Sequence, residues 1–227
     1  MLCLSEVEAE DVRAVARRAR TAVVPNAVAP RAPVERAAVE PPVLVALCRL
    51  DVRQKGLDRM AAIAAAAPAL RLPVHGDRDR NEPAAVEHLL AHLPANLEVH
   101  EPVHGAAKEA ALAGATAYVA LSRWEGISMA VLEALAGGLP CIVSRYVART
   151  LGDEAGTAVA VLDDRLLDDD PAAAGRAIEA LVADPEALRA RAAHGRELAS
   201  ARFAPAAVAD ALEAAYRAGL AAAKEER

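Results

Sequence analysis

Apolar residues come in short unbroken runs, separated by stretches where they recur every three or four positions. Val43 to Cys48 reads VLVALC, as a strand buried on both faces of a sheet must. Similar runs at Leu70–His75, Leu97–His100, Ala117–Leu121, Cys141–Ser144 and Ala158–Leu162 predict further strands, although Pro73 is awkward inside one of them. Helical spacing covers Gly56–Ala66, Glu82–Leu93, Ala106–Ala113 and Ser128–Ala136, the last closed by Gly137 and Gly138. Three more helices are predicted over 171–183, 185–201 and 205–223. Alternation of strand and helix with short connections predicts an α/β fold with a single doubly wound, Rossmann-like parallel sheet. Before that rhythm starts, residues 5–20 predict a helix with its acids first and its bases last, which suits the helix dipole. Thr21–Pro25 reads as a short strand, and PNAVAPRAPVERAAVEPP as a connector.

Composition narrows the partners. Of the 227 residues, 55% are apolar and only 2% aromatic, so the core must be built from Val, Leu, Ile and Ala. A net charge of −6 argues against a general nucleic-acid binder, which needs a basic surface. Cys3, Cys48 and Cys141 are widely spaced and odd in number, and are expected to be reduced thiols in a cytoplasmic protein. No apolar run reaches transmembrane length and no signal peptide is evident. The basic run Arg13–Arg20 could bring the chain to the inner membrane surface as a peripheral protein, but with acids beside it a solvated face is the simpler reading.

In parallel sheets ligands bind beyond the carboxyl ends of the strands, so the chemistry is sought there. After the first core strand, Arg49 and Lys55 offer a planar fork and a point charge that suit a diphosphate, although charged loops are more often merely solvated. His75-Gly76-Asp77 follows the second strand; Gly76 would allow close backbone approach to a ligand, or simply a tight turn. Glu125-Gly126-Ile127-Ser128 leads into a helix start, whose free N–H groups attract anions. Glu133 lies in that helix among Met129, Ala130, Val131, Leu132 and Leu135. A helix apolar all round is expected to be buried, and a buried carboxylate needs donors. These would come from an arginine, from backbone N–H groups, or from the vicinal hydroxyls of a ribose. His88 and His92 are spaced i, i+4, but Leu89 follows the first, so the zinc-protease pattern is absent and a solvated helix face is expected.

Taken together, EGISMAVLEALAGGLPCIVS resembles the E-x7-E region of retaining glycosyltransferases of the GT-B fold, the group 1, family 4 type. RLDVRQKG resembles that family's phosphate loop, VVPNAV its interdomain segment and HGD its G-D-G loop, in the right order over residues 21–203. The resemblance implies that Arg49 and Lys55 hold the donor diphosphate, that Glu133 holds the ribose hydroxyls, and that Glu125 is the catalytic carboxylate, contacting the transferred sugar near the reacting centre. Gly126, Ile127 and Ser128 would form a backbone cradle for phosphate and sugar, and the backbone from Glu101 to Val103 would hold the base. The donor would then be a nucleotide-diphosphate sugar, and no cofactor or metal is expected, since in that family fixed charges and a helix start stabilise the leaving diphosphate. Three departures stand out: Ala27 and Ala29 replace the usual Gly and Asp, and RYVART follows Ser144 in place of G-G-x-x-E. The resemblance also implies domain limits. Residues 1–40 correspond to the end of an N-terminal domain and a linker, 41–203 to the nucleotide-sugar-binding domain, and 204–227 to a C-terminal helix. An acceptor-binding half would then be supplied separately, and a binding module without catalysis is the rival expectation. An epimerase or a phosphorylase of similar shape fits less well, since the first also needs two domains and the second a cofactor-binding lysine.

Overall fold

The computed structural model describes residues 1–33, 39–78 and 82–225, and the side chains of the last helix as far as residue 222. In chain order the elements are β1 (Leu2–Cys3), α1 (Glu6–Val15), β2 (Ala22–Val23), β3 (Leu44–Leu47), α2 (Leu57–Ala66), β4 (Leu72–His75), α3 (Pro83–Ala91), β5 (Leu97–His100), α4 (Gly105–Ala113), β6 (Ala117–Ala120), α5 (Met129–Ala136), β7 (Cys141–Ser144), α6 (Arg145–Leu151), α7 (Ala155–Ala158), β8 (Val159–Leu162), α8 (Asp164–Asp169), α9 (Pro171–Val182), α10 (Pro185–Arg202) and α11 (Pro205–Glu225). β3 to β8 form one six-stranded sheet in the order β5-β4-β3-β6-β7-β8, with every neighbouring pair parallel. The chain builds outward from β3 to β5, then crosses back to β6 and builds outward the other way. The strand order therefore reverses between β3 and β6, and a crevice opens at their carboxyl ends.

Strand residues alternate between two cores. Leu44, Ala46, Leu72 and Val74 pack with Leu57, Met60 and Ile63 of α2 and Ile178 of α9. Val45, Tyr118 and Val143 pack on the other face with Val131, Leu132 and Leu135 of α5, and with Phe203 after α10. Val28 of the connector donates its backbone N–H to the carbonyl of Phe203 at 2.8 Å and is itself buried, so the connector is stitched to this second core.

Pro73 does sit inside a central strand. Leu72 and Gly76 donate backbone N–H groups toward β5, whereas Arg71 donates toward the β3 side. Position 73 would also face β3, so the proline forfeits one ladder bond while its other neighbours keep theirs. The predicted helix over 5–20 stops at Val15. Arg17, Arg18 and Arg20 crowd like charges beyond it, and Arg13 turns to Thr21 at 2.8 Å instead. The strand β1 and the short helices α6, α7 and α8 were not expected. Their few residues show too little periodicity, and α6 starts at once after β7 because the Ser144 hydroxyl accepts the Val147 N–H at 3.3 Å.

A polar network fastens α8 to α2. Arg59, 4% exposed, donates to both oxygens of Asp168 at 2.7 and 2.6 Å, to Asp164 at 2.9 Å and to the Leu121 carbonyl at 3.1 Å. Arg123 adds a bond to Asp168 at 2.8 Å. The hydrogen bond from Arg59 is the main reason the Asp168 carboxyl sits at about 2, below its ordinary 3.8. A carboxyl held down in the folded state contributes stability above pH 4, and that contribution is lost as pH falls toward 2. Asp168→Asn should therefore destabilise the chain at pH 7 by about 1 kcal/mol, a value discounted because Asp168 is 42% exposed. Urea unfolding of both proteins should show the gap closing between pH 4 and pH 2. A gap that stays constant with pH would refute this account.

Candidate functional site

The residues beyond β3 and β6 meet where the strand order reverses. Lys55 Nζ lies 2.8 Å from Glu125 Oε1, with side-chain exposures of only 16% and 8%. The Ser122 hydroxyl donates to the same oxygen at 2.5 Å, and the Ser122 carbonyl accepts from Ser144 at 2.6 Å. Glu125 is thus fixed by a cation from the β3 loop and by a hydroxyl anchored through β7. Ser122 was missed in the sequence; the only signal was its position three residues before Glu125. Lys55 is brought back over the sheet by Gly56, whose φ of +68° favours glycine and whose added Cβ would lie 2.3 Å from the Leu121 carbonyl oxygen.

Cys48 lies beside this pair. Burial pushes its thiol up to about 12, opposed by the nearby Lys55 cation and reinforced by Glu125 and Asp51. It is therefore a protonated wall residue rather than a nucleophile. Tyr118, fully buried, donates its hydroxyl to the Leu47 carbonyl at 3.0 Å and accepts the Leu47 N–H at 3.3 Å, which finishes the end of β3.

A cavity of about 410 Å³ opens alongside, and Arg49, Gly76, Val103, Lys108 and Glu133 lie on its wall. Four of the sequence-predicted residues are therefore brought together here. Lys55, Glu125 and the Gly126–Ser128 loop stand next to it rather than on its wall. Arg49 is half exposed, donates to the Gln54 side chain at 2.5 Å and lies 3.6 Å from Asp51. A second cavity, of about 880 Å³, shares Arg49, Gly76 and Asp77 and extends toward His100 and Glu101.

Glu133 departs from expectation. Its helix is not buried all round: Met129 is 40% exposed, and the Glu133 side chain 18%. Met129, Ala130 and Glu133 turn one face of α5 to the cavity. The donor it needs is also on the chain, because Lys108 of α4 reaches its Oε1 at 2.7 Å and Arg31 of the connector comes within 3.6 Å of the same oxygen. Gly76 departs too. An added Cβ would fall 1.6 Å from the Cys48 carbonyl oxygen, so the close approach it allows is between β4 and β3.

Ser128 precedes α5 without a side-chain capping bond, which leaves the first N–H groups of the helix to other acceptors. Ile127 is 7% exposed and belongs to the core, so any contribution of this loop to a ligand comes from its backbone. His75 stacks on His100 at 4.9 Å between centroids, and its buried Nδ1 has no partner among the described residues. Burial lowers its pKa, so the ring is neutral at pH 7. The His88 and His92 rings meet at 4.5 Å between centroids, tilted by 40°, on the exposed face at the end of α3, as expected of a solvated pair. Among the described residues no group of three or more His, Cys, Asp or Glu is placed to hold a metal ion, and no helix is long and apolar enough to cross a membrane.

Comparison with known proteins follows the same lines. The family model described as glycosyl transferases group 1 matches residues 41–184. No curated protein matches the sequence. Among solved structures, sucrose-phosphate synthase from Thermosynechococcus elongatus superposes with a TM-score of 0.78 at 23% identity, covering 97% of this chain and 58% of that one. Anabaena HepE, in complex with UDP and glucose, gives 0.76 at 16% identity, covering 96% and 62%. A TarM variant from S. aureus, in complex with UDP among other ligands, gives 0.73 at 14% identity, covering 93% and 42%. At these identities the likeness is one of fold, and the chain spans roughly half of each larger protein.

Proposed function

Because the chain belongs to the glycosyl transferases group 1 family, we propose that it is the nucleotide-sugar-binding half of a retaining glycosyltransferase, one that moves a hexosyl group from a nucleotide-diphosphate donor. The fold is that of a GT-B Rossmann-like domain with its closing C-terminal helix. The observation that carries the reading is convergence: Arg49, Val103 and Glu133 share one cavity wall, with Lys55, Glu125 and the start of α5 beside it, where the strand order reverses.

Each part then has a role. Arg49 and Lys55 meet the diphosphate, the first as a fork and the second as a point charge. The N–H groups at the start of α5, behind the Gly126–Ser128 backbone, take further phosphate oxygens. Glu133 accepts from the ribose hydroxyls, and the backbone near Val103 borders the base. Glu125 touches the transferred sugar, where charge develops as the bond to the leaving diphosphate breaks. Fixed cations that need not reorganise stabilise that departure. Transfer requires an acceptor-binding half on another polypeptide or another part of the protein. The support for this is that the chain covers 42% to 62% of the three solved structures described above.

One observation favours a binding module without transfer. β7 passes directly into α6, so RYVART is helical where the family places the G-G-x-x-E loop. Thermal unfolding with UDP, GDP and ADP sugars tests the shared premise. A donor at a hundredfold over its Kd should stabilise the chain by about 2.7 kcal/mol. Arg49→Ala should weaken that donor about tenfold, the loss of one charge-assisted contact. No shift with any donor would overturn the reading.

A further inference from the structure

We propose that Lys108 is a specificity-determining positioning residue that makes the site prefer ribonucleoside diphosphates to their 2′-deoxy counterparts. The inference rests on the donor-site reading above, in which Glu133 receives the ribose. Lys108 is one of the cations on the wall of the 410 Å³ cavity, and it was not among the residues picked out from the sequence.

The geometry is an alternating set of charges on three elements. Arg31 of the connector donates to both oxygens of Glu109, at 2.7 Å each. It also lies 3.6 Å from Glu133 Oε1, and Lys108, adjacent to Glu109 on α4, holds that same oxygen at 2.7 Å. Lys108 and Glu133 are 24% and 18% exposed, so the pair is largely withdrawn from water. Both cations therefore act on Oε1 from different directions, and the nearer one decides where the carboxylate points.

A carboxylate has about four lone-pair sites. Lys108 takes one on Oε1 and holds the group turned toward the cavity that Lys108 itself lines. The remaining sites are open to a cis-diol, with one hydroxyl for each oxygen. A 2′-deoxyribose offers only one hydroxyl and leaves part of a desolvated carboxylate unpaired, and such a loss weighs most in a site built to accept the bond. Without Lys108, Arg31 becomes the near cation among the described residues. It draws Glu133 toward the connector and away from the sugar. Lys108 thus acts through Glu133, and its effect should follow the 2′-hydroxyl rather than the diphosphate.

The test measures Kd for UDP and for 2′-deoxy-UDP by calorimetry in the intact chain and in Lys108→Met and Lys108→Arg. The parent should bind UDP about tenfold tighter than the deoxy form, the scale of one hydrogen bond to a charged acceptor. Lys108→Met should reduce that ratio to below about threefold, mainly through weaker UDP binding, and Lys108→Arg should keep most of it. Lys108→Ala replaces the Met variant if the latter does not fold. A Lys108→Met protein that keeps the parent's ratio, or binds UDP more tightly, overturns the proposal, as does a parent that treats the two nucleotides alike. A parent that binds neither is measured in the same way with GDP and ADP and their 2′-deoxy forms, and one that binds none of these overturns the donor reading itself, which is visible before any variant is made.

Discussion

Gly76→Ala should cost the chain more than about 3 kcal/mol, or prevent folding altogether. The added methyl would sit 1.6 Å from the Cys48 carbonyl oxygen, 2.7 Å from its carbon and 3.5 Å from the Arg49 nitrogen. All three are backbone atoms and cannot swing aside as a side-chain end can. Relief requires the ends of β3 and β4 to part, breaking bonds such as Cys48 N–H to the His75 carbonyl at 3.0 Å and Leu50 N–H to the Asp77 carbonyl at 2.7 Å. Those strand ends carry Arg49 and lead to Lys55, so a folded variant should also lose donor binding. Gly219→Ala is the control. It lies within α11 with no atom within 4 Å of the new methyl apart from its chain neighbours and the backbone of its own helical turns, and it should stabilise by up to about 1 kcal/mol through helix propensity. Urea unfolding of the three proteins decides the matter. A Gly76→Ala midpoint near the parent's would show that the strand ends tolerate separation.

The sequence made the sheet legible because a parallel sheet buries both faces of its strands. VLVALC and AYVAL cannot be amphipathic helices of useful length, and each became a strand within a residue of its predicted ends. The six strands came through even at Pro73, where burial and two neighbouring strands outweigh one missing donor. What stayed hidden was short or polar. α8, DRLLDD, has too few residues to show a period, and it is held by Arg59 and Arg123 from distant parts of the chain. The same limit applied to the site. Arg49, Lys55, Glu125 and Glu133 could be named because they follow strands or interrupt apolar runs. Lys108 and Arg31 could not, because each looks like an ordinary solvated cation until α4 and the connector bring it to Glu133. Gly76 was singled out for a ligand, whereas its closest neighbour is the chain itself. Periodicity reports which face an element buries, but not which distant backbone it touches.

Glu125→Gln should separate binding from transfer. Glutamine keeps an oxygen to accept from Ser122 and Lys55, so the local bonds survive while the charge is lost. Glu125 is 8% exposed and Lys55 16%, so the acid's field acts through little water. Removing that charge frees the Lys55 cation from its counter-ion, and the diphosphate should gain by it. Donor affinity should hold or tighten, by up to about tenfold for one charge-assisted contact. Transfer should move the other way. If Glu125 meets the sugar as positive character develops at its reacting carbon, loss of the charge should lower kcat about 10²- to 10³-fold, the scale of a single preorganised electrostatic contact. The measurement uses whichever nucleotide sugar gives the largest thermal shift, in the presence of the acceptor-binding half, and follows release of the nucleoside diphosphate. Tighter donor binding with slower release would mark an interaction made in the transition state rather than in the ground state. A Glu125→Gln protein that turns over within threefold of the parent would remove Glu125 from the chemistry and leave the Lys55–Glu125 pair a structural clamp between the β3 and β6 loops.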